Sequence, residues 1–266
     1  MTPVTTRRTV RPCRPPPERH PVNRGLFITG TDTGVGKTRV ACALAHALAG
    51  RGDDVRVRKP VESGCVDGPA GPTPADGMAL RAAAGGHEPL DTVCRYRLQA
   101  PLSPERAARR EGMPLTLAML IDACLHGVDA ESILLVEGAG GFLSPIAAGA
   151  LNADLAVALG LPVLVVAADR LGTINHMLLT AEAIRARGLH LAGIVLNQPV
   201  APVDDAMDNG GELARWLGIE VIRFPHGEDG HDAWQVGLPR LAALLDSAGY
   251  PPGDDPMPLS ATPRFP

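Results

Sequence analysis

A glycine-rich turn, Gly30-Thr31-Asp32-Thr33-Gly34-Val35-Gly36-Lys37-Thr38, separates an apolar run at residues 25–29 from a helix-forming stretch at residues 37–49. Strand, tight loop and helix in that order make a cradle for phosphate. Backbone N–H groups and the helix N-terminus face the anion, the Lys37 ammonium reaches the terminal phosphates, and the Thr38 hydroxyl is suited to ligate Mg²⁺. The spacing departs from the common pattern by one residue, with Thr31 where the first glycine usually stands. A glycine-rich helix start with no ligand would leave the closing Gly-Lys-Thr unexplained.

Lysine is almost absent elsewhere. The chain has two, Lys37 and Lys59, against 23 arginines. Lys59 ends the run Val55-Arg56-Val57-Arg58-Lys59-Pro60. A composition so biased supplies arginine wherever any cation would serve, so compact ammonium groups at these two places point to sites that a broad planar guanidinium does not fit.

Apolar runs recur at residues 55–58, 132–136, 162–167, 191–196 and 220–224, separated by helix-like stretches, with a last helix expected at residues 238–247. Such alternation predicts an α/β fold, a doubly wound, mostly parallel sheet with helices on both faces. With 45% hydrophobic residues and only 3% aromatic ones, the core must be built from Ala, Leu, Val and Ile, as strands buried on both faces require. One domain over residues 24–250 is expected. Ligands bind at the carboxyl ends of parallel strands, so the residues just after each run form the functional shortlist: 30–38, 59–63, 137–141, 169–175, 197–198 and 225–226. The second strand is expected to bring Lys59 beside the glycine loop.

A net charge of −4 gives no electrostatic case for nucleic acid as a partner. The five cysteines are odd in number, scattered and without a Cys-x-x-Cys pair, as in a reducing compartment. No apolar stretch approaches the ~18 residues of a membrane span, so a soluble protein is expected. Residues 1–23 hold Arg7, Arg8, Arg11, Arg14 and Arg19 together with Pro15-Pro16-Pro17. Those prolines spoil the amphipathic helix of an organelle-targeting leader, and a secretory apolar core is lacking. A disordered extension or an upstream start codon is expected there, and a disordered Pro-rich tail at residues 251–266.

A Mg²⁺-nucleotide site needs hard oxygen ligands near Thr38. Glu137 follows the run at 132–136, which is expected to neighbour the first strand and so aim its carboxylate at Thr38. Gly138-Ala139-Gly140-Gly141, next in the chain, allows close approach of backbone to a ligand. Asp76 begins a helical stretch, where its carboxylate serves either the metal or a helix cap.

Four motifs in order carry a family resemblance: Gly30-Thr31-Asp32-Thr33-x-Val35-Gly36-Lys37-Thr38, Lys59-Pro60-Val61-x-Ser63-Gly64, Val136-Glu137-Gly138-Ala139-Gly140-Gly141 and Leu171-Gly172-x-Ile174-Asn175-His176. Over roughly residues 25–225 the chain resembles the dethiobiotin synthetases, ligases of the P-loop NTPase fold. The resemblance implies a cytoplasmic homodimer that uses Mg·ATP, CO₂ or bicarbonate and 7,8-diaminononanoate to close the ureido ring of dethiobiotin in biotin biosynthesis. It implies nucleotide contacts from Thr33, Gly34, Val35, Gly36, Lys37 and Thr38, with Thr38, Asp76 and Glu137 around the metal. Lys37 and Lys59 would be the catalytic cations, and Lys59, Thr33 and Ser63 would meet the diamine or its carbamate. Gly138, Ala139, Gly140, Gly141 and Asn175 would line the phosphate and substrate region. Asn197 would read the adenine, beside Gln198 and with help from Phe224, Pro225 and His226. His176 reads as structural.

Some features depart from that pattern. Gly34 stands where some members carry Glu, and Glu62 and the insert at residues 68–74 lie outside it. The motifs do not locate the pocket for the substrate carboxylate. Rival readings fit less well. A partitioning ATPase would carry a second lysine four residues before the last loop glycine, where Asp32 stands. Asn197-Gln198-Pro199 is not the Asn-Lys-x-Asp guanine reader of GTPases. A cobalamin-pathway amidotransferase needs a glutaminase domain, for which the stretch after residue 225 is expected to be too short.

Overall fold

The computed structural model describes residues 24–69, 71–198 and 207–225. The expected arms at residues 1–23 and 251–266, the expected helix at residues 238–247 and His226 lie outside the described residues.

The chain opens with β1 (Gly25–Gly30) and α1 (Lys37–Gly50), then β2 (Val55–Arg58), β3 (Val61–Ser63) and a hairpin of β4 (Val66–Gly68) and β5 (Gly71–Thr73). Next come α2 (Ala75–Ala83), α3 (Leu90–Val93), β6 (Tyr96–Leu98), α4 (Pro104–Arg110), α5 (Leu117–Leu125) and β7 (Ile133–Gly141). A short pair, β8 (Pro145–Ala147) and β9 (Ala150–Leu151), leads into α6 (Asn152–Leu159), β10 (Val163–Ala168) and α7 (Thr173–Arg185). The described elements end with β11 (Leu191–Asn197), α8 (Asn209–Leu217) and β12 (Val221–Phe224).

Six strands form the main sheet in the order β12-β11-β10-β1-β7-β2, and all neighbours run parallel. Successive strand residues point to opposite faces, and here both faces are apolar. Phe27, Leu134, Val163 and Ile194 join one core with Cys124 of α5, Ala153 and Leu155 of α6 and Met177 of α7. Ile28, Leu135, Leu164 and Val195 join the other with Val40 and Leu44 of α1 and Leu80 of α2. This two-sided burial makes the sheet doubly wound. Among the described residues no helix is long and apolar enough to cross a membrane.

β2 does not pair with β1, because β7 is inserted between them. Lys59, just after β2, neighbours Glu137 on β7 and shares one cleft with Gly34, Gly36 and Lys37 of the glycine loop. Chain order does not specify spatial order in a doubly wound sheet, where crossovers can skip a strand. Within the insert, Gly71, Pro72 and Thr73 pair antiparallel with Gly68, Asp67 and Val66.

Candidate active site

At the carboxyl edge of β1 the chain turns through Gly34 and Gly36, with φ of +75° and +94°, and enters α1. Only glycine takes such angles without strain. A Cβ on Gly36 would also lie 2.1 Å from Nδ2 of Asn197. α1 begins without a side-chain cap and without an acid in its first turn, so its N–H groups and positive dipole end face the cleft. The Lys37 ammonium donates to the Asp32 carbonyl at 3.0 Å. Burial draws its pKa below the ordinary range, with Glu137 pulling the other way.

β7 lies next to β1 in parallel register, Ile28 opposite Glu137, and so delivers Glu137 to the start of α1. The Thr38 hydroxyl donates to Glu137 Oε1 at 2.9 Å. From the other side the Lys59 ammonium donates to the same oxygen at 2.5 Å and to Asp76 Oδ2 at 2.8 Å. Glu137 is 1% exposed, and its Oε2 has no hydrogen-bond partner. Burial raises the Glu137 carboxyl above the ordinary range despite Lys59. For Lys59, burial alone would lower the pKa, but Glu137 and Asp76 outweigh it and hold the ammonium charged. Asp76 is likewise opposed by burial, yet Lys59 keeps it below the usual carboxylate range.

The Asp76 carboxylate does not cap its helix. α2 has Pro74 at its N-cap position with no side-chain cap bond, and the Asp76 carboxylate turns to Lys59. Glu62 takes the role of the cap, accepting from the N–H groups of Asp76 and Gly77.

After Glu137 the backbone makes its glycine turn around Asn152, a fully buried residue at the start of α6. Asn152 accepts from Ala139 N and donates to the carbonyls of Ala139 and Gly141. The turn needs glycine at two points: Gly140 has φ +74°, and a Cβ on Gly138 would sit 2.8 Å from Asn152 Oδ1.

These elements enclose a cleft of about 590 Å³. It is lined by Thr33, Gly34, Gly36, Lys37, Thr38, Lys59, Ser63, Asp76, Glu137, Ala139 and Gly140 from the expected set. Val35 is buried behind the loop, Gly138 packs on Asn152, and Gly141 lines a separate groove. Asn175 is exposed on α7 and does not line the cleft. Asn197 is buried and occupied at both ends, donating to the Val35 carbonyl at 3.0 Å and accepting from Arg39 at 3.0 Å. Gln198 N donates to the Phe224 carbonyl. The Arg39 guanidinium lies 4.7 Å from the Phe224 ring centroid, and Pro225 follows β12. Asn197, Arg39 and Phe224 thus form one patch behind the loop.

Ser144 and the wall at residues 101–104, missed from sequence, also line the cleft, as does Glu62, which falls in the 59–63 shortlist without an assigned role. That wall follows β6, so the strand-end rule would have found it. Its strand, Tyr96–Leu98, is too short to read from periodicity.

A parallel sheet with a phosphate loop, a hydroxyl and a buried carboxylate at the carboxyl edge of its central strands, and a second carboxylate from α2, defines a P-loop nucleotide-binding protein. A family model described as an AAA domain matches residues 24–223. The ATP-dependent dethiobiotin synthetase BioD of Anaeromyxobacter dehalogenans (strain 2CP-C) is 52% identical over 84% of this chain and 96% of its own length. That of Ralstonia nicotianae is 46% identical over 74% of this chain and 86% of its own. The chain belongs to the ATP-dependent dethiobiotin synthetase family.

Proposed function

We propose that this chain closes the ureido ring of dethiobiotin from 7,8-diaminononanoate, CO₂ and ATP, releasing ADP and phosphate. The observation that carries the reading is the convergence of Lys37, Thr38, Lys59, Asp76 and Glu137 on one cleft beside a phosphate loop. Family membership names the reaction that such a cleft would perform.

One substrate amine takes up CO₂ to form a carbamate. A carbamate oxygen attacks the γ-phosphorus of ATP, breaking the bond to ADP, and the second amine then attacks the carbamoyl carbon as phosphate leaves. The substrate supplies both nucleophiles, so the protein's part is positioning and charge. The carbamate and the triphosphate are both anions. Lys37 and the loop N–H groups take the phosphates. An ammonium has three donors, and Lys59 spends two on Asp76 and Glu137. The third is left for the carbamate. Because both carboxylates hold it, the ammonium approaches the reacting oxygen in a fixed direction.

Thr38, Asp76 and Glu137 suit a hard divalent cation. All three offer oxygen, and the unpartnered Oε2 of buried Glu137 is the kind of atom that a cation or its water satisfies. When bound, Mg²⁺ neutralises charge on the β- and γ-phosphates. Ser63 and Thr33 offer hydroxyls to the diamine, and reading of the base by Asn197 would require its bonds to Val35 and Arg39 behind the loop to open.

The working unit in this reading is a homodimer. Leu143, Leu171 and Leu179 are 49%, 88% and 58% exposed, and Asn175 shares the α7 surface with Leu179 while standing away from its own cleft. Covering those leucines with a second copy would let Asn175 serve the partner's substrate. Cytoplasmic location fits the free, buried Cys42, Cys65, Cys94 and Cys124.

The test is ADP release by the purified protein. It should require 7,8-diaminononanoate and bicarbonate together. Hydrolysis stimulated by a polymer or protein partner without the diamine would instead mark a switch ATPase.

A further inference from the structure

The first turn of α2 carries Asp76, and two backbone N–H groups of that turn meet a carboxylate from a distant strand. Glu62 Oε1 accepts from Asp76 N at 3.1 Å, and Oε2 accepts from Gly77 N at 2.9 Å. Glu62 is 7% exposed and sits in β3, which follows Lys59 after a single proline. Its strand is itself anchored, since Val61, Glu62 and Ser63 pair in register with Tyr96, Arg97 and Leu98. The helix has no cap of its own, and its preceding residue is Pro74. Gly77 lets this turn approach closely, as a Cβ there would lie 2.7 Å from Cys94 Cβ.

We propose that Glu62 is a positioning residue that clasps the first turn of α2 to β3, and so holds the Asp76 carboxylate at the metal-nucleotide site. The inference rests on the assignment of Asp76 above. Lys59 and Asp76 stand on separate pieces of chain, and the Asp76 side chain is 40% exposed. The placement of that half-buried carboxylate therefore depends on where the first turn of α2 sits. The two bonds to Glu62 are charge-assisted and point along the helix axis, where a negative charge also meets the positive end of the dipole. They fix the Asp76 backbone, which sets the distance from which its carboxylate reaches Lys59 and a cation beside it.

Glu62→Gln keeps the shape but turns an NH₂ group towards one of the two N–H donors, breaking half of the clasp. The parent and the variant would be titrated with Mn²⁺ in the presence of a non-hydrolysable ATP analogue, and free Mn²⁺ read by electron paramagnetic resonance. This needs no turnover, so it is independent of the ring-closing reaction, which the diamine-dependent release of ADP tests separately. Groups that orient metal ligands are worth about 10–100-fold in metal affinity. We expect Mn²⁺ to bind about 10-fold more weakly to the variant, with the affinity for the analogue in metal-free buffer within about twofold of parent. In a background of Asp76→Asn the same change should cost less than about twofold, because its effect passes through Asp76.

Unchanged Mn²⁺ affinity in Glu62→Gln would overturn the proposal. A loss of the same size in the Asp76→Asn background would overturn it too. If Glu62→Gln fails to fold by circular dichroism, Glu62→Asp, which shortens the reach by one methylene, is read by the same titration against the same limits.

Discussion

Lys59 donates to Glu137 across 2.5 Å from the end of a neighbouring strand, and both side chains are buried. The ammonium is shared with Asp76, and Glu137 is shared with the Thr38 hydroxyl. One continuous hydrogen-bonded chain therefore runs from α2 through β2 and β7 to the start of the phosphate-loop helix. Its members come from four separate stretches of sequence, and the sheet order β1-β7-β2 brings them together.

Glu137→Gln removes a charge from the middle of that chain while keeping its shape. Turnover should fall by about 10²-fold or more, because metal positioning carries much of the barrier to phosphoryl transfer. Steady-state release of ADP across a Mg²⁺ series would check this. Near-parent turnover at saturating Mg·ATP would remove Glu137 from the metal site.

Lys59→Arg tests the choice of a compact cation. The site is 3% exposed and already holds both carboxylates against the ammonium. A longer, flat guanidinium must shift one of them or push the carbamate out of line, and misplacement of this kind costs about 10²-fold. With the redirected charge added, turnover should fall by about 10²–10³-fold, while affinity for ATP changes much less because Lys37 and the loop amides remain. Retention of more than about a third of parent turnover would make Lys59 a bystander.

Asn152→Ala should destabilise the fold as well as slow it. The buried side chain satisfies one N–H and two carbonyls of the partly buried glycine turn. Orphaned buried groups cost about 1–3 kcal/mol each, so a loss of about 3 kcal/mol in urea unfolding is expected, with reduced turnover because Ala139 and Gly140 line the cleft.

The legible parts of this site were those written in local sequence. The phosphate loop, Lys59 and Glu137 each follow an apolar run directly, and strand-end logic found them all. Glu137 was aimed at Thr38 on the expectation that its strand neighbours the first, as β7 does. Lys59 reaches the same cleft as the loop although β7 stands between the two strands. Glu62 and Asn152 were not legible, because their partners lie 14 residues away for Asp76 and 13 for Ala139, and nothing in a lone Glu or Asn states what it will hold. β3, β6, β8 and β9 have two or three residues each, below the length at which alternation can be read.

The exposed leucines of α7 and its approach give an assembly prediction. Sedimentation equilibrium at assay concentration should return twice the 27.7 kDa chain mass, and Leu171→Asp should lower it towards the monomer with a loss of turnover. A fully active monomer would contradict the dimer.

The reaction assigned to this cleft joins CO₂ to a diamine at the expense of ATP. Incubation with 7,8-diaminononanoate, Mg·ATP and ¹³C-bicarbonate, followed by mass spectrometry and nucleotide analysis, tests it most directly. The expected product is dethiobiotin carrying the label at its ureido carbon, with one ADP and one phosphate formed per product. Release of ADP that ignores the diamine, or consumption of the diamine without label in the product, would contradict it.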